Sequence, residues 1–566
     1  MSKPPPPQPP RSDSDRYKWV ALSNTTVGTL MATLDGSIVI IAMPAIFRGI
    51  KLDPLAADNI VYLLWMVLGY LLVSAVLVVS LGRLGDMFGR VRMYNLGFLI
   101  FSVASLALSL DPFTGHAGAL WLILLRLVQA TGGSMLTANS AAILTDAFPL
   151  EQRGMALGIN QIAGLAGQFL GLLVGGLLAV VDWRAVFWVN VPVGILGTLW
   201  SYRSLRDNGV RRRARIDWAG NATFTLGAAA ILASITHGIQ PYGGHATGWN
   251  NPLVLGGLAL GVALLIAFAV IETHLAEPMF QLALFRIRAF AAGTFAALLI
   301  SIARGGLQFM LIIWLQGIWL PLRGYKFEDT PLWAGIYLLP LTAGFLVAGP
   351  LSGFLSDRYG ARKFSTTGAV LVAGSFLGLL ALPIAFSYPD FAALLFVSGA
   401  GQGMFSAPNT SAIMSSVPAA YRGAASGMRS TFQNSGTALS IGVFFSLMTA
   451  GLASALPSAL TSGLTAQAVP ATTAASVAQL PPVSTLFAAF LGNNPIRHLL
   501  APSGVLSTLP AGNVTTLTGT RFFPQLISAP FHHGLGIVFV VAAIMAGVAA
   551  LVSLLRGEYT RSTPQQ

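Results

Sequence analysis

Apolar runs long enough to cross a bilayer, about 20 residues each, recur fourteen times along the chain. They lie at roughly 20–46, 59–82, 93–110, 118–146, 153–181, 184–204, 217–238, 252–274, 288–320, 331–355, 363–386, 390–414, 421–450 and 531–555. Runs of this length leave few structural choices, because in hydrocarbon a lone segment can satisfy its backbone hydrogen bonds only as a helix. An all-α polytopic membrane protein with fourteen transmembrane helices is therefore predicted. Composition agrees, with 54% of the 566 residues hydrophobic and 9% charged, where soluble domains carry about a quarter charged residues. The formal charge of +13 is scattered between apolar runs rather than gathered on one face, which argues against nucleic acid as a partner.

Enzymatic readings find no support. The chain has no cysteine, hence no thiolate metal site and no cysteine nucleophile. Its seven histidines show no metal-ligand spacing, and His532 and His533 fall near the start of the last run, where an interfacial position accounts for them. No G-x-x-x-x-G-K-[ST] phosphate loop is present. No cofactor or metal is expected.

The positions of lysine and arginine set the orientation. With the N-terminus inside, 23 of the 32 fall on the cytoplasmic side and seven outside (Arg48, Lys51, Arg184, Arg323, Lys326, Arg497 and Arg521), while Arg126 and Arg304 sit within apolar runs. Both termini are then cytoplasmic. Residues 1–19, opening MSKPPPPQPP, read as a disordered tail, and the first apolar run lacks the features of a cleavable signal peptide.

The chain repeats itself. Gly82–Arg92 (GRLGDMFGRVR) recurs 271 residues later as Gly353–Lys363 (GFLSDRYGARK), and Pro149-x-x-x-Arg153-Gly154-x-Ala156-x-Gly158 recurs 269 residues later as Pro418-x-x-x-Arg422-Gly423-x-Ala425-x-Gly427. Two six-helix bundles, 20–204 and 288–555, are expected, with an inserted helix pair between them at 205–287, entered through the basic linker Arg203–Arg215 and left through the amphipathic stretch Glu277–Arg288. A cytoplasmic tail occupies 556–566. An outer loop, 453–528, separates helices 13 and 14; its apolar pieces, such as VSTLFAAFLG, are too short to span and either cap the outer mouth, lie on the membrane surface or form a partly ordered loop.

The two glycine hinges resemble the cytoplasmic signature of the major facilitator superfamily, roughly G-x-L-x-D-R-x-G-R-[KR]. The first matches at Gly82, Leu84, Asp86, Gly89 and Arg90, with Arg92 one place late; the second keeps Gly353, Leu355, Asp357, Arg358 and Gly360. The resemblance implies a gate, in which Asp86 accepts from helix-end amides and from arginines of the opposite half and holds the cytoplasmic side shut.

Asp35, in TLDGSIVIIAMP, stands inside the first membrane helix, where a charge is costly unless paired or wet. Its surroundings resemble the L-D-x-[TS]-I-V-N-V-A-L-P signature of the fourteen-span drug:proton antiporter branch, with Ile40 in place of Asn, which implies proton coupling at Asp35. Burial disfavours a carboxylate and a nearby cation favours it, so a group held between them can load and release a proton; a fixed ion pair locking two helices is the alternative. Arg126, in RLVQATGG, resembles the R-x-x-Q-G-x-G motif and brings Gln129 with it; guanidinium does not deprotonate, so Arg126 tunes the acid rather than carrying the proton. DWRAVFWVNVPVG (Asp182–Gly194) resembles that branch's entry into helix 6, and Trp65 and Tyr70 also match it as cavity candidates. Helix 5 departs from the branch: Gln168 and Leu172 replace the prolines of G-P-x-L-G-P-x-x-G-G, which weakens the case for strict antiport and makes Gln168 a polar cavity candidate.

A shift of 269 residues carries Asp35 onto Arg304 and Gly36 onto Gly305. Arg304, with Gln308 one turn on, is expected either to pair with Asp35, to bind an anionic or carbonyl group of the substrate, or to be satisfied by backbone carbonyls. Gln433 and Asn434 in helix 13 are expected to face a cavity or another helix. The resemblance implies a monomeric secondary active transporter of the bacterial plasma membrane that exports amphiphilic small molecules by proton antiport, with protons and membrane lipids as its other partners. Export of a native lipid or envelope component without strict proton coupling, and a non-transporting scaffold or sensor, are the alternatives.

Overall fold

The computed structural model describes residues 11–53, 56, 59–207, 217–245, 247–275, 278, 280–418, 421–492 and 494–556. Residues 1–10, most of the basic linker (208–216), Glu277 and the tail 557–566 lie outside that set, as does the side chain of Asp357.

Long helices follow the apolar runs. They are α1 (Arg11–Gly49), α2 (Ile60–Phe88), α3 (Arg90–Ser109), α4 (Gly115–Ala147) and α5 (Leu150–Val181). Next come α6 (Ala185–Ser204), broken at Val189, then α7 (Trp218–Gly238) and α8 (Pro252–His274). The remainder are α9 (Arg288–Leu322), α10 (Leu339–Tyr359, preceded by Thr330–Tyr337), α11 (Ala361–Leu380), α12 (Tyr388–Ser416), α13 (Arg422–Thr465) and α14 (Phe522–Leu554). Among the described residues, thirteen helices are long and apolar enough to cross a membrane. The fourteenth, α12, is 29 residues long and packs between α10 and α11, but is absent from those thirteen.

Helix packing repeats between the two ends of the chain. α1 lies against α4, α5 and α6, and α4 against α2 and α3; likewise α9 lies against α12, α13 and α14, and α12 against α10 and α11. The hinges repeat too: Gly89 (φ 109°, ψ 126°) joins α2 to α3, and Gly360 (φ 90°, ψ 133°) joins α10 to α11. Both lie in the positive-φ region that strains other residues, so glycine is needed at each. Of the intervening pair, α8 packs on α7, and α7 packs on α2 and α13. The pair is tied near the first hinge by Ser80, which donates to Asn221 Oδ1 at 2.5 Å, and by Arg83, which donates to the carbonyl of Pro278.

Helices α1–α6 and α9–α14 meet at the end remote from the hinges. There Gly176 of α5 abuts Pro331 and Leu332, Gly335 abuts Leu172, the Arg48 guanidinium lies 4.9 Å from the centroid of the Phe327 ring, and Gln316 donates to Ile41 O at 3.0 Å. Nearer the hinges they touch along α2 and α13, where Thr431 donates to Ala75 O at 2.8 Å.

Three boundaries differ from expectation. Helix α1 starts at Arg11, so residues 11–19, expected in the disordered tail, are helical. Helix α13 runs on to Thr465 and α14 begins at Phe522, which shortens the outer loop from both sides. What remains of 453–528 is a chain of short helices rather than a partly ordered loop. One of them, Pro482–Phe490, has every residue buried. Its Phe487 packs edge-on to Phe47 of α1 (5.9 Å), Phe490 packs against Phe309 of α9 (6.3 Å), and Ala489 lies over Gly317. An apolar helix too short to span thus buries its surface by filling the seam between α1 and α9.

Because the native chain lacks cysteine, single cysteines report this directly. In purified protein, Ala488→Cys is expected to react with a maleimide roughly tenfold or more slowly than Thr515→Cys, since Ala488 is buried and Thr515 exposed. Equal rates would put the short helix outside the bundle.

Candidate functional site

Asp35 sits midway along α1 and is fully buried. Its carboxylate is held by donors from two further helices: Arg126 of α4 forms an ion pair with Oδ2, while Gln129 Nε2 of α4 (2.9 Å) and Asn190 Nδ2 of α6 (2.7 Å) donate to Oδ1. Gln129 is fixed in turn, accepting from Arg126 at 2.7 Å and donating to Ser105 of α3 at 2.8 Å. Tyr70 of α2 completes the shell, its ring 4.3 Å from the guanidinium carbon and its hydroxyl donating to Ala32 O at 3.1 Å. Five helices thus converge on one acid.

Local sequence explains the convergence. Small residues let α4 and α5 come close to their neighbours: Gly132 lies against the backbone of Phe101, Gly133 under the Tyr70 hydroxyl, and Gly167 and Gly171 against α1 at Leu30 and Leu34. The break in α6 at Val189 puts Asn190 at the start of its second segment, from which its amide reaches Asp35. Asn190 and Ser105 were not singled out by the sequence. Asn190 does lie in the quoted helix 6 motif, and that was the available signal.

The second six-helix group is organised differently. Arg304 does not pair with Asp35, whose cation is Arg126. It is half-buried, with no hydrogen bond or ion pair among the described residues, so backbone carbonyls do not satisfy it. Gln308 is buried one turn on. A further cation, Arg429, which the charge count places on the cytoplasmic side, is buried within α13, where its Nη1 donates to Thr410 Oγ1 (3.3 Å) and Gln433 Oε1 (3.4 Å) while its Nε has no partner among the described residues. Arg556, taken for a tail residue, is buried just past α14 against Asn409 Oδ1 (2.7 Å), and burial draws its pKa down to about 10. Of the other cavity candidates, Trp65 on α2, Gln168 on α5, and Gln433 and Asn434 on α13 are half-buried.

At the first hinge, Asp86 pairs with Arg90 (2.7 Å), and Arg90 reaches Asp146 of α4 (2.6 Å). The expected partner from the opposite half is therefore replaced by one from the same half. Around them, Gly82 faces Ala138, Gly89 makes the turn and Arg92 is exposed. At the second hinge, Arg358 lies 5.7 Å from the ring of Tyr359.

The family model described as Major Facilitator Superfamily matches residues 25–441. The chain belongs to the Major Facilitator Superfamily. It is 30% identical over 539 residues to the tetracenomycin C resistance and export protein of Streptomyces glaucescens, covering 95% of this chain and 91% of that protein. It is 28% identical to the riboflavin transporter RibZ of Clostridioides difficile over 77% of this chain and 90% of that one, and 30% identical to the puromycin resistance protein pur8 of Streptomyces alboniger over 65% and 68%. The solved structure of a bacterial homolog of the human lysosomal transporter Spinster, inward-facing and occupied, has the same fold, with a TM-score of 0.57, 15% identity and coverage of 95% and 97%. As a major facilitator, this chain is a multi-pass membrane transporter and not an enzyme.

Removing one charge of the buried pair strands the other, which typically costs about 3–5 kcal/mol, whereas replacing both by apolar residues is often close to neutral. Arg126→Leu is therefore expected to lower the thermal stability of purified protein sharply, and Asp35→Leu/Arg126→Leu to recover most of the loss. A double variant no better than the single one would contradict this account of the site.

Proposed function

We propose that this protein is a secondary active exporter of amphiphilic small molecules that couples export to proton entry through Asp35. The observation that carries the reading is the coordination of that carboxylate: it is fully buried, accepts from three side chains, and has Arg126 as its counter-ion. The adjacent guanidinium favours the charged carboxylate, so a proton binds there when Arg126 withdraws. Because Asp35 and Arg126 stand on different helices, a relative tilt of α1 and α4 can separate them and let a proton take the place of the guanidinium.

In this reading the hinges lie on the cytoplasmic side, both termini are cytoplasmic, α12 counts as a fourteenth span, and the chain divides into six helices, an inserted pair and six more. The contacts at the far end, among Gly176, Pro331, Phe47 and Phe487, then describe a molecule closed to the outside, with Asp35 deprotonated after delivering its proton inward. Asp86 and Arg90, paired within one half, are free to exchange partners when the cytoplasmic side closes. A relative named for tetracenomycin C resistance and export, and another named for puromycin resistance, support export as the direction of transport. Glycines 167, 171, 175 and 176 pack α5 without the two prolines, each against backbone or side chains of α1 or the Pro331 segment, so the α1–α5 contact is tight despite Gln168 and Leu172.

The test is flux of amphiphilic fluorophores in proteoliposomes with an imposed pH gradient. Wild-type protein is expected to move at least one of them only while the gradient lasts, and Asp35→Asn to lose about tenfold or more of that flux while still binding the dye. Undiminished gradient-driven flux in Asp35→Asn would refute the assignment.

A further inference from the structure

We propose that Arg304 is the docking point for an anionic group on the substrate, so that the transported amphiphiles carry a carboxylate or a similarly delocalised oxyanion. The inference deepens the exporter reading and rests on it for the word substrate.

Arg304 occupies the position in α9 that Asp35 occupies in α1, and packing bears out the sequence offset. Gly171 of α5 lies against Leu34 and Ser37 of α1, and its counterpart Ser440 of α13 donates to Ile302 O and accepts from Gly306 N (2.8 Å) of α9. The surroundings then part company. Asp35 has three side-chain donors, one of them its counter-ion, whereas Arg304 has five N–H donors and no protein acceptor among the described residues. Between residues 288 and 556 the chain has four acids: Glu328, Asp329, Asp357 and Asp390. Glu328 and Asp329 lie in the turn after α9, Asp357 next to the second hinge and Asp390 at the start of α12, where it accepts from Ser387. Each lies in a turn or within three residues of a helix end, none at mid-helix. No ion pair forms among the described residues of that half.

A second guanidinium reinforces the first. Arg429 is buried on α13 and bonded only to neutral oxygens. It is eight residues nearer the hinge end than Thr437, the residue against which Gly305 packs, a helical rise of roughly 12 Å. Two uncompensated cations in a low-dielectric bundle raise the potential along its inner face and draw anions to it. Planar guanidinium matches carboxylate in a two-pronged geometry, and Gln308, also without a partner among the described residues, stands one turn away to donate or accept a further bond.

The experiment compares two probes of one shape, 11-(dansylamino)undecanoate and its primary amide, binding to purified full-length protein in an uncharged detergent at neutral pH. The carboxylate is expected to bind about tenfold tighter than the amide; Arg304→Gln should abolish that preference while leaving amide affinity unchanged, and Arg304→Lys should keep part of it. Equal wild-type affinities, or a preference that survives Arg304→Gln, would overturn the proposal, and the wild-type comparison needs no variant to fold. A preference erased by low millimolar chloride or sulfate would assign Arg304 to an inorganic anion and likewise overturn it. Loss of gradient-driven flux with the preference intact strikes the antiport reading alone; intact flux with equal affinities strikes this one alone.

Discussion

Asp35 and Arg126 are two opposite charges with no access to water, and much of the first half is arranged around keeping them satisfied. Their net contribution to stability is small, because desolvation offsets most of the attraction. What the pair does set is geometry. Donors from α4 and α6, a buttress from α3 and a ring from α2 must all reach one carboxylate, which fixes the spacing and rotation of five helices. Such a centre tolerates two arrangements better than a continuum between them: donors engaged, or the acid neutralised and the helices released.

The second half uses the same backbone for a different electrostatic purpose. Its glycine hinge has nearly the same dihedral angles as the first, and its helices make the same set of contacts, yet acid at the symmetric position has become arginine and the arginine of α4 has no counterpart. One half therefore carries a neutral, closed pair and the other an open positive site. The short helix Pro482–Phe490 occupies the seam between α1 and α9 at the end away from the hinges, so any opening at that end has to displace it.

Much of this was legible in the sequence, for physical reasons that also explain the failures. Hydrocarbon imposes a minimum run length, so helix positions could be read from hydropathy; Asp35 and Arg126 announced themselves because a charge in such a run demands a partner. Arg429 escaped because it lies within two turns of its helix start, where a cation reads as a loop residue until burial is known. Asp86 was expected to reach across the halves, but Arg90 lies one turn away across the hinge and pairs with it, and Asp146 of α4 holds the same guanidinium. Pro482–Phe490 was ambiguous since an apolar nonamer suits a surface as well as a seam. The start of α1 was misjudged because the proline run ends at Pro10 and RSDSDRYK has nothing to break a helix.

The central claim is that Asp35 alternates between an ion-paired carboxylate and a neutral acid. Infrared difference spectroscopy on purified protein, taken between alkaline and acid buffer, reads that change without any substrate. The account predicts a carbonyl band of a buried protonated carboxyl that grows on acidification in the wild type and is missing from Asp35→Asn. The same band, undiminished in the asparagine variant, would contradict it.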